Sequence, residues 1–299
     1  MRTKTFGAIS IDRVEENGRF LFAPTWLYRD INASFVEKYK VELGPELIDE
    51  ETNAFILSFH SYLIRAGGLT ILVDTCNGNC KPRPGLPWQN QLTADTYLTN
   101  LKRLGLQPKN INVVLCTHLH GDHVGWNTRL LNGRWMPTFP NARYVISRQD
   151  YDYFEPLSHA RDGEPQKHLA FPDSILPVVE AGLVDFIDVE RTPRVPLAEG
   201  VTIQAAPGHT PGQVMIEVEG TSDCAFLTGD IIHHPIQFLV PDLVNPGDVD
   251  PALARKIRDR LTAEIASRGG LLLPGHFPDP SAGRIYDRPG GYRFEFDSD

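Results

Sequence analysis

Residues 117–123 read T-H-L-H-G-D-H, and no other stretch constrains the chain as much. Three of its ten histidines and an aspartate fall between His118 and His123. They follow Ile111–Cys116, an apolar run that reads as a short buried strand. Strand ends are where loops carry function on a rigid scaffold. Neutral imidazole and carboxylate are ligand types that zinc and related divalent ions take. In an extended H-x-H both side chains leave the same side of the backbone, because strand side chains alternate with period two. His118 and His120 can then share one ion. Asp122 and His123 lie just past the turn at Gly121 and can reach a second ion nearby. A cluster of this kind needs a sheet behind it.

The rest of the pattern supplies one. Asn53–Ile64 and Leu69–Val73 read as strands joined by a turn at Gly67-Gly68, with Asp74 directly after the second. Residues 93–104 carry Leu98, Leu101 and Leu104 at helical spacing. Arg143–Ser147 reads as a strand, and Arg148–Phe154 opens a helix. Val201–Ala206, Val214–Val218 and Ala225–Leu227 read as further strands. Pro251–Ser267 reads as an amphipathic helix, and Leu271–Leu273 as a last buried strand. Strands followed by helices, twice over, predict an α/β (α+β) fold of two packed mixed sheets with helices on the outer faces, an αββα sandwich. No linker divides the 299 residues, so one domain over 1–299 is expected. Residues 17–50 and 155–183 are long and irregular, which marks them as pocket or lid segments.

Composition removes several function classes. Acidic residues outnumber basic ones 38 to 29, giving a formal charge of −9. Nucleic-acid binding needs cationic side chains that displace phosphate counterions, so nucleic acid is not an expected partner. No apolar stretch of about 20 residues could span a bilayer, and no membrane partner is expected. The N-terminal residues do not read as a signal peptide, so a cytoplasmic location is expected. The cysteines Cys76, Cys80, Cys116 and Cys224 read as reduced thiols, because Cys76 and Cys80 lack a second ligand pair for a structural zinc.

T-H-L-H-G-D-H resembles the H-x-H-x-D-H signature of the metallo-β-lactamase fold, and later segments follow in that family's order. A-P-G-H-T-P-G at 206–212 resembles its second metal motif and offers His209. L-T-G-D at 227–230 resembles the strand-end motif with a bridging aspartate, Asp230. L-P-G-H-F at 273–277 resembles the last ligand motif and offers His276. L-V-D-T at 72–75 resembles the aspartate turn that supports the site through Asp74. The resemblance spans roughly residues 54–285. It implies His118, His120 and His209 on one ion, Asp122, His123 and His276 on a second, and Asp230 bridging them. It also implies two divalent transition-metal ions as cofactors, zinc first, with iron, manganese or cobalt as alternatives. Two such ions about 3.5–4 Å apart share a hydroxide whose pKa falls toward about 7. The resemblance gives Asp122 a proton-relay role in that reaction.

G-D-I-I-H-H-P-I-Q-F at 229–238 with H-F-P-D-P-S-A-G-R-I at 276–285 resembles the branch holding methyl parathion hydrolases and acyl-homoserine lactonases. The lactonases carry tyrosine three residues after the bridging aspartate; this chain has His233. His233 is a candidate donor to a developing oxyanion or, equally, a packing residue. His60 and His234 read as structural. Candidate pocket walls are Phe22, Trp26, Trp88, Trp126, Phe154 and Phe238, suited to a small-molecule substrate with an apolar part. Three readings follow: hydrolysis of a lactone or small carboxylic ester, hydrolysis of a phosphotriester or aryl ester, and redox chemistry on the same scaffold. Oligomerisation is common in that branch, so a homodimer is a candidate assembly.

Overall fold

The computed structural model describes residues 1–29, 31–159 and 168–297. The first sheet begins with β1 (Lys4–Phe6), β2 (Ile9–Phe22), β3 (Phe55–Ala66), β4 (Leu69–Val73) and β5 (Val113–Leu115). A separate hairpin, β6 (Thr128–Leu131) and β7 (Arg134–Pro137), follows. The first sheet then resumes with β8 (Arg143–Ser147) and β9 (Val184–Ile187). The second sheet holds β10 (Arg194–Ala198), β11 (Val201–Ala205), β12 (Val214–Glu219), β13 (Cys224–Gly229), β14 (Leu271–Pro274), β15 (Gly283–Arg288) and β16 (Gly291–Phe296), side by side in chain order. In the first sheet β4, β5, β8 and β9 pair in parallel; in the second, β13 and β14 do.

Period-two alternation explains why the central strands are apolar throughout. In β4, Ile71 and Val73 face the opposite sheet, where they meet Ile216, Leu227 and Leu273 in one core. Leu72 points the other way, into an outer core with Tyr97 and Leu101 of the helix Thr96–Arg103. In β13, Ala225 and Leu227 face inward. Phe226 faces outward, with Leu272, against Leu261 and Ile265 of the helix Pro251–Arg268. Strands covered on both faces read as continuous hydrophobic runs. The long helix starts where the Asp250 side chain accepts from Leu253 N at 3.0 Å, and stops at Gly269 in the left-handed region, φ 58°. The result is the expected sandwich: helix, sheet, sheet, helix.

Two hairpins were invisible in the sequence pattern. At the N-terminus, β2 runs on to Phe22, so residues 17–22 are strand rather than irregular chain. E-E-N-G-R at 15–19 looks like a turn, but the chain absorbs it as register shifts between Glu15, Asn17 and Phe20 against β3. Short helices at Pro24–Leu27, Ala33–Glu37 and Lys40–Leu43 lie within the rest of 17–50. At the C-terminus β15 and β16 add another pair. In 155–183, the helix Arg148–Ser158 ends, and a π-helical turn at Phe171–Ile175 leads into Leu176–Glu180. Residues 160–167 of that expected lid lie outside the described residues.

Candidate metal centre

The site sits at the carboxyl ends of the parallel strands. β4 delivers Asp74, β5 delivers Thr117 and the 118–123 segment, β13 delivers Asp230, and β14 delivers His276. Ligands in open α/β sheets collect at this edge because the loops leave it together. The ends of β5 and β13 belong to different sheets and nearly touch. A Cβ on Gly229 would lie 2.8 Å from Thr117 Oγ1, and its φ is 50°, so glycine permits both the turn and the close approach.

A set of oxygen acceptors orients the histidines. His123 Nδ1 donates to Asp74 Oδ2 at 2.8 Å. The same carboxylate accepts from Thr117 N at 2.7 Å and Thr117 Oγ1 at 2.8 Å, and Asp74 itself holds φ 59°. Few side chains tolerate that backbone, aspartate among them. His209 Nδ1 donates to Asp248 Oδ1 at 2.8 Å, and His276 Nδ1 to the carbonyl of Ser58 at 3.2 Å. The hydroxyl of Thr117, its proton given to Asp74, accepts from His118 Nδ1 at 3.1 Å. With Nδ1 protonated on each of these rings, each Nε2 carries a lone pair, and the four turn toward one another.

Those lone pairs fall into two groups on either side of Asp230. His120 Nδ1 lies 3.1 Å from His118 Nε2 and 2.9 Å from His209 Nε2. His123 Nε2 and His276 Nε2 lie 3.2 Å apart, with Asp122 Oδ2 at 4.0 and 3.6 Å from them. Asp230 Oδ1 is 3.2 Å from both His123 and His276. Its Oδ2 is 3.6 Å from His209, 3.9 Å from His118 and 3.3 Å from His233. One carboxylate thus offers one oxygen to each group. Asp230 Oδ1 is buried without a hydrogen-bond donor. Converging lone pairs and a buried carboxylate oxygen repel one another unless cations take them up, so the residues fit two divalent ions.

The electrostatics point the same way. Burial pushes the rings of His118 and His120 well below the ordinary imidazole value, and neighbouring histidines add to the effect. Burial is the largest influence on His123 and His276 and opposes a charge, but the surrounding carboxylates together overcome it and draw both upward: Asp230, Asp74 and Asp122 for His123, and Asp230 with Asp122 for His276. Asp230 is held well below the usual carboxylate range: burial works against its charge, and the rings of His123, His276 and His233 overcome that. His118 and His120 are thus kept neutral, as ligating imidazoles must be, while the side of the centre around Asp230 draws positive charge.

A cavity of about 390 Å³ opens over these residues. His120, Asp122, His209, Asp230, His233 and His276 form its floor. Phe22, Trp26 and Trp88 line one wall, in edge-to-face contacts with centroids 4.7–6.5 Å apart. The other three expected aromatics are not on the wall, and each is corrected here. Trp126 is buried in the outer core, stacked on Tyr97, with its indole N–H donated to Glu16 Oε1 at 2.7 Å. Phe154 lies behind the site, 5.6 Å from the His120 ring and 4.0 Å from His168. Phe238 stacks on Phe294 under the second sheet. Each is drawn inward by its large apolar area. His60 and His234 are fully enclosed, bonded to Ser58 Oγ and the carbonyl of Leu47 respectively, and neither lines the cavity.

Several site groups carry no sequence signal. Asp248 is 39 residues from His209 in the chain. Asp150 accepts from Thr210 Oγ1 at 2.9 Å and Gly212 N at 2.6 Å, fixing the loop that carries His209. Arg83, Gln89, His168 and Asn245 are among the further residues of the cavity wall. The turn-rich N-P-G-D at 245–248 is the single hint that could have drawn attention to Asp248.

The profile of the metallo-beta-lactamase superfamily matches residues 60–276. Among curated proteins, metallo-beta-lactamase domain-containing protein 1 of Xenopus laevis is 27% identical over 244 residues, 81% of this chain and 78% of that protein. N-acyl homoserine lactonase AiiB of Agrobacterium fabrum is 35% identical over 123 residues, 38% of each chain. The N-acyl homoserine lactonase of Bacillus thuringiensis is 27% identical over 188 residues, 62% of this chain and 64% of its own length. The chain thus spans less than two thirds of both lactonases. Among solved structures, hydrolase AbOPH superposes with a TM-score of 0.78 at 23% identity, covering 99% of this chain and 97% of that one. AidC, a dizinc quorum-quenching lactonase with a bound product, superposes at 0.79 and 20% identity, covering 100% and 97%. At those identities the likeness shows a shared fold.

Proposed function

The chain belongs to the metallo-beta-lactamase superfamily, and from that premise we propose that it is a binuclear metal-dependent hydrolase of small neutral lactones or carboxylic esters. The observation that carries the reading is the division of Asp230, with Oδ1 on the His123 and His276 side and Oδ2 on the His118 and His209 side. His118, His120 and His209 would hold one ion, Asp122, His123 and His276 the other, with Asp230 between them. Zinc suits this histidine and carboxylate set, which iron, manganese or cobalt also accept. Bound there, the ions supply Lewis acidity and bring the pKa of water toward about 7.

The chain's own residues do the rest. Asp122 is the least enclosed of the site carboxylates and lines the cavity, so it is placed to take a proton and return it to the leaving oxygen. Asp74 and Asp248 keep His123 and His209 in the tautomer whose lone pair faces the centre. Phe22, Trp26 and Trp88 take an apolar substituent and exclude water. Arg83 is the only lysine or arginine among the described lining residues, and Asp173 neutralises it through bonds of 2.7 and 2.8 Å. Among the described lining residues no side chain offers a free cation to an anionic substrate, which supports a neutral one. The N-acyl homoserine lactonases among the relatives support the lactone side.

His233 favours a second reading. Its ring lines the cavity, yet its Nε2 faces Asp230 Oδ2 at 3.3 Å. A proton there is donated to that carboxylate rather than to an oxyanion, so His233 steadies Asp230. The lactonases carry tyrosine at this position, and the histidine in its place is what supports hydrolysis of a phosphotriester or aryl ester.

A panel of lactones, aryl esters and phosphotriesters, ranked by kcat/KM, tests the substrate class. The highest value is expected on a neutral lactone or ester. A phosphotriester at the top would replace it with the second reading. Two equivalents of metal per chain are expected, and one equivalent at full activity would sink the binuclear proposal.

A further inference from the structure

We propose that Asp248 is the positioning residue for the ion held by His118, His120 and His209, the counterpart of what Asp74 is to the other ion. The inference rests on the binuclear reading above. Asp248 is not near any ligand in the sequence; the fold brings it to His209. Its Oδ1 accepts from His209 Nδ1 at 2.8 Å, and its Oδ2 accepts from the backbone N of Asn245 at 3.2 Å. Its side chain is 3% exposed. The histidine loop is gripped from the same side by backbone bonds, Val249 N to the His209 carbonyl and Asp250 N to the Gly208 carbonyl, both 2.9 Å.

The loop that carries Asp248 is itself built. Asn245 Oδ1 accepts from Gly247 N at 2.7 Å, and Asn245 Nδ2 donates to the carbonyl of Leu27 at 3.2 Å, on the cavity wall. Gly247 lies directly over the imidazoles. A Cβ there would come 3.3 Å from His209 Cε1 and 3.5 Å from His120 Cε1. The 245–248 loop thus fixes the tautomer of one ligand by its carboxylate and passes so close to two of them that a side chain at 247 would crowd their rings. Partners that orient a ligating histidine typically contribute 10–100-fold in metal affinity. The two ions differ in one respect. Asp74 holds His123 from inside the first sheet, whereas Asp248 holds His209 from a loop that also forms the pocket wall.

The test compares the full-length wild type with Asp248→Ala and Asp248→Asn, each stripped and reloaded with zinc. Metal content is measured by elemental analysis, and affinity is resolved for each site by titration against a chromophoric chelator. The wild type should hold two ions. Asp248→Ala should keep one at wild-type affinity and bind the other about 100-fold more weakly. Asp248→Asn retains an acceptor oxygen without the charge, so its loss should be nearer 10-fold. Circular dichroism melting of the metal-free forms checks the fold, and Asp248→Asn, nearly identical in shape, carries the test if the alanine variant does not fold. Two ions at wild-type affinity in both variants would overturn the proposal. So would equal loss of both ions from a folded variant, because His123 shares no partner with Asp248. A wild type that holds only one ion would instead overturn the binuclear reading beneath it.

Discussion

Replacing Asp173 by alanine should strip Arg83 of the pocket wall of its counter-ion while leaving the proposed metal ligands untouched. Three ionisable side chains meet there out of contact with water: Arg83 at 2% exposure, Lys81 at 0% and Asp173 at 4%. Arg83 holds Asp173 by two parallel bonds of 2.7 and 2.8 Å. Lys81 Nζ is 3.7 Å from the same carboxylate and donates to Thr128 Oγ1 at 2.6 Å and the Asp173 carbonyl at 3.0 Å. Removing the carboxylate leaves the Arg83 guanidinium buried without its counter-ion, while Lys81, already pushed down by burial, can shed its proton. Breaking a buried pair in this way costs about 3–5 kcal/mol. Unfolding entropy near 60 °C is roughly 2.1 cal/mol/K per residue, so a chain of this length melts with about 0.6 kcal/mol/K. The expected fall in Tm is then about 5–8 °C. Burial already pushes Lys81 down to about 7, against the opposing pull of Asp173. A folded-state pKa below the unfolded value means the native chain binds fewer protons between about pH 7 and pH 10, so the Lys81 contribution to stability rises with pH across that window. Lys81→Met should flatten this slope. Thermal melts of wild type, Asp173→Ala and Lys81→Met at pH 6.5 and 9.5 make the measurement. KM should rise in Asp173→Ala, because Arg83 Nε sits 3.5 Å from where a Cβ of Gly121 would lie, beside His120 and Asp122. A Tm within about 2 °C of wild type would refute the claim that this carboxylate compensates buried charge.

Other perturbations separate the layers of the structure. Asp230→Asn should leave the fold intact but drop metal content below two and lower kcat by at least about 100-fold on any substrate, checked by elemental analysis and steady-state kinetics. Burial pushes Asp150 up to about 6 despite its bonds from Gly212 and Thr210. The native chain then binds more protons than the unfolded one between about pH 4 and pH 6, and stability falls as pH rises through that window. Asp150→Asn can still accept from Gly212 and donate to Thr210, so its melts should lose the slope and keep the fold. Trp26 is 50% exposed at the cavity mouth, so Trp26→Ala should raise KM for substrates with long apolar groups while Tm shifts by less than about 2 °C. Leu227, 1% exposed between the sheets, should cost about 2–5 kcal/mol as alanine in a denaturant titration.

The central sheets were legible because burial on both faces leaves a plain signal. Ile71, Leu72 and Val73 go to alternate cores, so all three had to be apolar, and Asp74 marks the point where that requirement ends. The same holds for Ala225–Leu227 ahead of Asp230. The outer hairpins gave no such signal. In β2 the solvent-facing positions include Asn17 and Arg19, and Gly18 sits between them, so strand and turn read alike. In β16, the edge strand of the second sheet, exposed Arg293 and Glu295 alternate with partly buried Phe294 and Phe296, and in β15 the exposed Tyr286 and Asp287 are adjacent, which breaks the alternation. Edge strands of this kind are decided by pairing with a partner far away in the chain, which composition does not record.

The same distinction divides the site. A ligand must end a strand or open the helix beside it, so T-H-L-H-G-D-H, G-H-T-P-G, T-G-D and P-G-H keep a local context of apolar run and glycine turn. A residue that orients a ligand needs only to arrive with an oxygen in the right place, and any element can bring it. For His123 it is Asp74 at a strand end, which is readable; for His276 it is the carbonyl of Ser58 in the middle of β3, which no side chain announces. For His209 it is Asp248, in a loop ahead of a helix. The pocket wall is further removed again. Arg83 was buried by a partner 90 residues on, and the aromatics divided by neighbours rather than by type: Phe22, Trp26 and Trp88 found one another at the mouth, while Trp126 found Tyr97 and Glu16 inside. The proposed ligand set is therefore local in sequence, whereas the pocket wall that would meet a substrate is a product of tertiary packing.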